Sequence, residues 1–500
     1  MAFQLQPFAD LGLDAALLEH LIARHEAGRA RLERLWDYYR NPEVGPAHLR
    51  VAAGSVDAPS RPRLAQEQGL PGRITGLRDV SQDDRTRTRR EVVIENDIGW
   101  RIQAMVDFMF GKPVLITSTA REEATRKTVE RVLDAVWEAS GGIALLQDMA
   151  LLGHVYGHVD LLLREVETIP DADDPAAAAA QALRVEVVEP LRGIPLQSPD
   201  DYRRLEAYII RSEREVNAVE PGLGAARWAA FWRATSGEAI EAVRRVRSTC
   251  TEVLSAAHRQ VYRDGRLVES RPWEWTREVP VVHIQNISQP FRYAGMSDVE
   301  PLIPLQDELN TRLSDRACRV TMQSFKMYLG KGITGFDKVP VGPGQIWSTE
   351  NPDASVEEFG GDASSPSEEA HILEIREALD KTSGVPPLAS GVVRAKIGNL
   401  SSANALRITL MGVLSKTARK RVTYGRGVAQ MCSLVLEALD AMGILRTDPA
   451  DRGVKLVWPD PLPEDLSEAA AAARTKRELG VPADRVLAEL GYSGVDAGVM

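Results

Sequence analysis

Few residues in this chain have the types and spacing that chemistry needs. His154 and His158 stand four apart in HVYGH, a spacing that places two imidazoles on one helix face, as zinc ligands are placed. A zinc hydrolase of this kind needs a glutamate directly after the first histidine to activate water. Val155 stands there, and Tyr156 and Gly157 read as a helix end. Packing or hydrogen-bonding histidines are the preferred reading. The second group is cationic: Arg394 and Lys396 lie in the stretch 385–400, which Gly391 and Gly398 punctuate. Composition alone makes that stretch an exposed linker. Its place between two long helices makes it a hinged loop. A third group, Arg85, Arg87, Arg89 and Arg90, reads as a solvated basic face.

The phosphate loop GxxxxGK[ST] does not occur, so the chain is not expected to hydrolyse ATP by itself. No GxGxxG follows a strand and no GxSxG elbow is present. Cys250, Cys318 and Cys432 are far apart and in no metal spacing, the pattern of free thiols in a reducing cytoplasm. The sequence is therefore read as a non-enzyme without cofactor or metal.

With 500 residues, 44% hydrophobic and 26% charged, the chain has the composition of a soluble protein of more than one domain. A net charge of −10 argues against broad nucleic-acid affinity, which normally shows as a basic excess. It is compatible with a surface past which DNA slides without sticking. No apolar run reaches the ~18 residues of a membrane helix, and Asp10, Asp14 and Glu19 replace the basic leader of a signal peptide.

The elements that position these residues are organised around Gly295–Gly332. Leu302, Leu305, Leu309, Leu313, Ala317 and Val320 recur every three or four residues, an apolar stripe on one helix. Glu308 to Arg312 and Asp315 to Arg319 are spaced for helical ion pairs. Ser297 and Glu300 match a capping box, and the straight helix is expected from Pro304 to Met322, roughly 28 Å long. Ser365, Pro366 and Glu368 start a second helix that buries Ile372, Ile375 and Leu379 and stops at Gly384. Strands at Phe325–Leu329 and Gln345–Ser348 form a small β module between the two. A helix from Ser401 to about Met442 would span about 60 Å, with its kink at Gly425 and Gly427. Upstream, Leu13–Tyr39 and Asn96–Phe110 are helical, Asn41–Arg90 is a loop or arm, and the Ala-rich Asp171–Ala180 is an exposed insertion. Helices and strands grouped separately, without a βαβ rhythm, give the class α+β.

Several stretches in this order resemble the portal proteins of tailed bacteriophages, also found in prophages and gene-transfer agents. They are NDIGWRIQAMVDFMFGKPVLITS (Asn96–Ser118), ALLGHVYGHVDLLL (Ala150–Leu163), EVPVVHIQNIS (Glu278–Ser288), GMSDVEPLIPLQDELNTRLSD (Gly295–Asp315), SGVPPLASG (Ser383–Gly391) and SSANALRITL (Ser401–Leu410). The resemblance covers about Asn96 to Leu490; the N-terminal ninety residues and the Ala-rich insertion have no match.

The resemblance implies a portal-like α+β subunit: N-terminal helix and arm at 1–95, wing at 96–294, first stem helix at 295–322 and clip at 323–364. The second stem helix follows at 365–384, the tunnel loop at 385–400, a long wing-to-crown helix with a short strand at 401–462, and the crown at 463–500. Leu305, Leu309, Leu313, Ile372, Ile375 and Leu379 would pack the stem, and Phe325, Tyr328 and Trp347 belong to the clip. Arg394 and Lys396 would touch passing phosphates. It further implies a homo-oligomeric ring, a dodecamer in most members, at one capsid vertex, conducting double-stranded DNA during packaging and ejection. The partners would be the terminase large subunit, a head-completion or adaptor protein, and the major capsid and scaffolding proteins, with no membrane. The protein would be made in the host cytoplasm and reside in the virion. The alternatives are a soluble oligomeric scaffold or adaptor without a channel, and the zinc hydrolase weighed above.

Overall fold

The computed structural model describes residues 3–44, 63–75, 91–166, 172, 174–201, 203–217, 245–324, 327–332, 351–359, 365–391, 403–462, 466–481 and 486. The first elements are helix α1 (Ala15–Arg40), strands β1 (Glu43–Val44) and β2 (Arg63–Leu64), and helices α2 (Gly72–Thr75) and α3 (Asp97–Phe110). Then come β3 (Leu115–Ser118), α4 (Glu123–Ala139), α5 (Gly142–Tyr156), β4 (His158–Glu165), α6 (Pro175–Ala182), β5 (Leu183–Val188) and β6 (Gly193–Gln197). Strands β7 (Leu205–Asn217), β8 (Arg245–Leu254), β9 (His258–Arg263), β10 (Arg266–Pro272) and β11 (Val281–Gln285) lead to helix α7 (Ile303–Ser324). The rest is β12 (Met327–Lys331), β13 (Ser355–Phe359), α8 (Pro366–Ser383), α9 (Ala403–Thr409), α10 (Met411–Ala441), β14 (Val454–Val457) and α11 (Leu466–Glu478).

Every strand pairing among the described residues is antiparallel. The sheets run β10-β9-β8-β7-β6, β11-β4-β5, β14-β3, β12-β13 and β1-β2. The chain divides into two compact units. One comprises Met1–Glu33, Gln103–Ser297 and Val385–Met500; the other Arg34–Ile102 and Asp298–Gly384. The breaks between them fall at 33/34, 102/103, 297/298 and 384/385.

In the first unit, α4, α5 and α10 cover the β11-β4-β5 sheet, and Val132, Val136, Met149, Leu161, Ile284, Val428, Val435 and Leu439 share one core. A second core lies on the five-stranded sheet, where Phe8, Leu13, Leu18 and Leu21 meet Ile194, Ile209, Val253 and Tyr262. The Ala-rich segment is not an exposed insertion. Asp174 accepts from Ala177 N at its start, Pro175 is preset for the first turn, Ala176, Ala179 and Ala182 join the core beside α4, and Ala178 is buried as well. Methyl side chains let the two helices approach closely.

The long helix also departs from expectation. It breaks at Leu410, whose φ of −92° and ψ of 6° separate α9 from α10, and α10 continues through Gly425 and Gly427. Glycine serves another purpose there: a Cβ on Gly427 would lie 2.3 Å from Ile284 Cγ1, so the residue admits strand β11 against the helix. Thr251–Tyr262 lies in a hairpin, β8 turning into β9. Within the expected arm, residues 63–75 are ordered, and Gln66 and Glu67 are buried. β12 pairs with β13, whereas the expected strand Gln345–Ser348 falls outside the described residues.

Candidate functional site

The second unit is built on α7 and α8, and Leu309, Ile372, Ile375 and Leu379 are buried in it. Leu305 and Leu313 are half-buried, and Val320, the end of the expected stripe, is exposed. The more thoroughly buried face of α7 is polar. Gln306, Asn310 and Ser314, each four residues from the next, are at most 1% exposed. They grip residues 91–98, the segment that leads into α3 and its first two residues. Gln306 Oε1 accepts from Asp97 N and Ile98 N at 3.0 and 3.2 Å, and its Nε2 donates to Glu95 O. Asn310 Oδ1 accepts from Glu95 N at 3.0 Å, and Ser314 Oγ accepts from Val93 N at 3.0 Å. Asn310 Nδ2 donates to Gln66 Oε1, and Gln66 Nε2 donates in turn to Tyr38 O and Asn96 Oδ1. Buried amides cost little when every donor and acceptor is matched.

Charge binds the same unit together. Arg101, 1% exposed, donates to Asp97 at 2.9 Å, Asp380 at 2.7 Å and Ser383 at 3.0 Å. Between the helices Arg319 pairs with Glu368, and His371 lies 3.3 Å from Glu308, which also holds Arg312 at 2.7 Å. The Glu308–Arg312 pair is one of the two that the spacing predicts. The capping box expected at Ser365 does not form: Ser365 makes no side-chain cap bond, and Glu368 is turned to Arg319. Ser297 Oγ donates to Val155 O.

The two histidines do not share a helix face. α5 ends at Tyr156, Gly157 takes φ +94°, and His158 opens strand β4. A side chain at Gly157 would also meet Gly295 O at 2.5 Å. Buried His154 faces Ala150 O at 2.6 Å through Nδ1. His158 packs its ring 5.5 Å from those of His283 and Tyr293. The zinc-hydrolase reading therefore loses the geometry that prompted it. Asp160, two residues on, is the centre of that cluster: it accepts from Tyr208 at 2.6 Å, Tyr293 at 2.8 Å and His283 at 2.7 Å. Burial pushes its carboxyl up, but His283, His158 and the Tyr208 hydroxyl outweigh burial and hold it below the usual range. The cluster has the character of a buried sheet tie. Burial likewise drives the Cys432 thiol up to about 12, so that sulfur stays protonated and unreactive.

A profile of the family described as phage portal protein, SPP1 Gp6-like, matches residues 18–490. The chain belongs to the phage portal family. The match reaches far into the N-terminal segment, where the sequence motifs gave no resemblance. No curated protein matches. Among solved structures, a chain of the virion of a native gene transfer agent particle is 13% identical, with a TM-score of 0.40, over 80% of this chain and 86% of that one. A chain from the neck of an empty gene transfer agent particle, computed with C6 symmetry, is 13% identical with a TM-score of 0.45, over 79% and 90%.

Of the portal residues named from sequence, the six stem positions lie on α7 and α8, and Tyr328 lies on β12. Phe325, Trp347, Arg394 and Lys396 fall outside the described residues. The approach to the loop is described: Gly384 ends α8 at φ +69°, and a short 3-10 helix, Pro387–Ser390, ends at Gly391 with φ +81°. Sequence reasoning missed the amide stripe and Asp160. The signal for the stripe was present, since Gln306, Asn310 and Ser314 keep a strict four-residue spacing. A lone Asp in an apolar strand gave no such sign.

Proposed function

We propose that this portal protein assembles as a ring of twelve subunits at one capsid vertex and conducts double-stranded DNA during packaging and ejection. The observation that carries the reading is the family match over residues 18–490. The paired helices α7 and α8 act as the stem, residues 323–364 as the clip, 385–400 as the tunnel loop, and α9–α11 as the long helix and crown. The clip is the docking point for the terminase large subunit and later for a head-completion or adaptor protein. The wing and crown meet capsid and scaffolding proteins. No catalytic step is assigned to the subunit, whose place is the virion.

The matched amide face of α7 supports a stem role, because a fully bonded polar seam resists sliding along the helix axis better than an apolar one. Negative-stain electron microscopy of the purified protein, alone and with its scaffolding protein, tests the proposal. Rings with a central hole are expected. Closed dimers or tetramers without a hole in both preparations would return the adaptor reading.

A further inference from the structure

Between Lys381 and Leu436 the chain carries nine Lys and Arg residues and no Asp or Glu. Of its 61 basic residues the remaining 52 face 71 acidic ones, so this stretch is a basic island in an acidic protein. Much of its charge is spent locally. Arg407 pairs with Asp460 at 2.7 Å, Lys420 is buried against Met105, and Arg421 donates to Phe108 O and Pro459 O. Arg419 and Arg426 are exposed, and no carboxylate lies within ion-pair distance of either among the described residues. They are seven residues apart, two turns, about 10.5 Å along the helix.

Beside them runs an uncovered apolar stripe. Met411 and Val422 are each 61% exposed, and Ser415 and Ala418 between them are exposed too. Spacings of four, three and four put all of them on one face, continued on α9 by Ile408 at 70% exposure. The opposite face, Val413, Thr417, Lys420, Tyr424 and Val428, is the one that packs inward. Large exposed apolar groups at helical spacing, with small residues between and arginines at the rim, make a helix-packing surface. A phosphate backbone would use the arginines but not the stripe.

The same unit carries the complement. On α4, Asp134 and Glu138 are exposed and follow Glu130 at steps of four, covering about 12 Å. Like charges at that spacing repel, and burial together with Glu130 and Glu138 holds the Asp134 carboxyl above its usual range. Glu130 accepts from Ser118 N of β3, whose Leu115 stands opposite Val457 of β14, 62% and 50% exposed.

We infer that the exposed face of α9 and α10 docks onto the α4 and β3/β14 face of a second copy of this chain. Arg419 and Arg426 meet Asp134 and Glu138, and Met411 and Val422 cover Leu115 and Val457. Two copies cannot use the arginine face against itself, since guanidinium would oppose guanidinium. The contact is therefore heterologous, the kind that propagates around a ring; to this extent the inference rests on the ring reading.

Reciprocal charge reversal tests it. Arg419→Glu with Arg426→Glu, and separately Asp134→Lys with Glu138→Lys, are each expected to raise the concentration needed for assembly by roughly tenfold or more. A 1:1 mixture is expected to restore rings in which the variants alternate. Sedimentation velocity reads all three, with circular dichroism confirming the folds. Rings of the arginine variant at the wild-type concentration would overturn the inference while leaving the ring reading intact; so would a folded mixture that stays dissociated. Normal rings that have lost retention on duplex DNA would assign the face to nucleic acid instead. Wild-type protein that forms no ring, alone or with its scaffolding protein, would remove both readings. Should the α4 variant misfold, carbodiimide cross-linking of mixed light and heavy wild-type rings replaces it. Inter-copy links from Lys416 to Asp134 or Glu138 are expected, and links only elsewhere would overturn the assignment.

Discussion

His158 is partly buried, and desolvation drives its imidazole from the ordinary 6.5 down to about 4, with Asp160 opposing the shift only in part. The unfolded chain therefore binds a proton near pH 6.5 that the folded chain refuses until about pH 4. Stability from this residue is complete above 6.5 and is lost as pH falls through that window, by about 3 kcal/mol from the pKa difference. Asp160 titrates below its ordinary value of 3.8, so its own loss comes at lower pH. His158→Phe keeps an aromatic ring against His283 and Tyr293 while removing the proton site. Its Tm should fall less than that of the wild type between pH 6.5 and 4.5. Parallel Tm curves for the two proteins would mean that His158 takes up its proton as easily folded as unfolded.

At the scale of elements, α7 and α8 were legible because Pro304, Pro366 and Gly384 are hard punctuation. The face that α7 buries was not. Leu305, Leu313 and Val320 outweigh Gln306, Asn310 and Ser314 on any hydropathy scale, yet only tertiary structure supplies the backbone N–H groups that make burial of the amides favourable. Gly425 and Gly427 posed a second ambiguity. A glycine in a helix marks either a bend or a close approach, and Ile284, the neighbour that decides between them, is far away in sequence. The alanines of α6 looked solvent-facing for want of bulk, when small size is what lets them pack. Gln306→Leu should preserve volume while leaving Asp97 N and Ile98 N without acceptors. A loss of about 2–5 kcal/mol is expected from two buried orphan donors, with earlier protease cutting near residues 91–96. Denaturant unfolding and limited proteolysis check it; unchanged values would mean that water replaces the amide at no cost.

At the scale of the whole molecule, the charge argument divides. A net charge of −10 suits the proposed conduit, which must release what it carries, and the loop cations Arg394 and Lys396 are the proposed points of brief contact. Arg394→Glu with Lys396→Glu should leave ring formation intact and reduce the DNA retained per particle severalfold. Quantifying DNA in purified particles decides it, and a full complement would remove these two residues from the path. The charge-reversal variants on α10 should behave oppositely, failing at assembly before any DNA is handled.

The first unit is assembled from three separate stretches of chain. Its principal core holds Val132, Met149, Leu161 and Ile284, but it closes only when Val428, Met431, Val435 and Leu439 arrive from α10. Residues 286–410 separate β11 from that helix, and ribosomes at roughly 5–20 residues per second need on the order of 6–25 s to make them. For that interval the growing polypeptide presents an open apolar sheet to the cell. The subunit is in this respect a late-closing chain, dependent during synthesis on whatever keeps half-made proteins from one another.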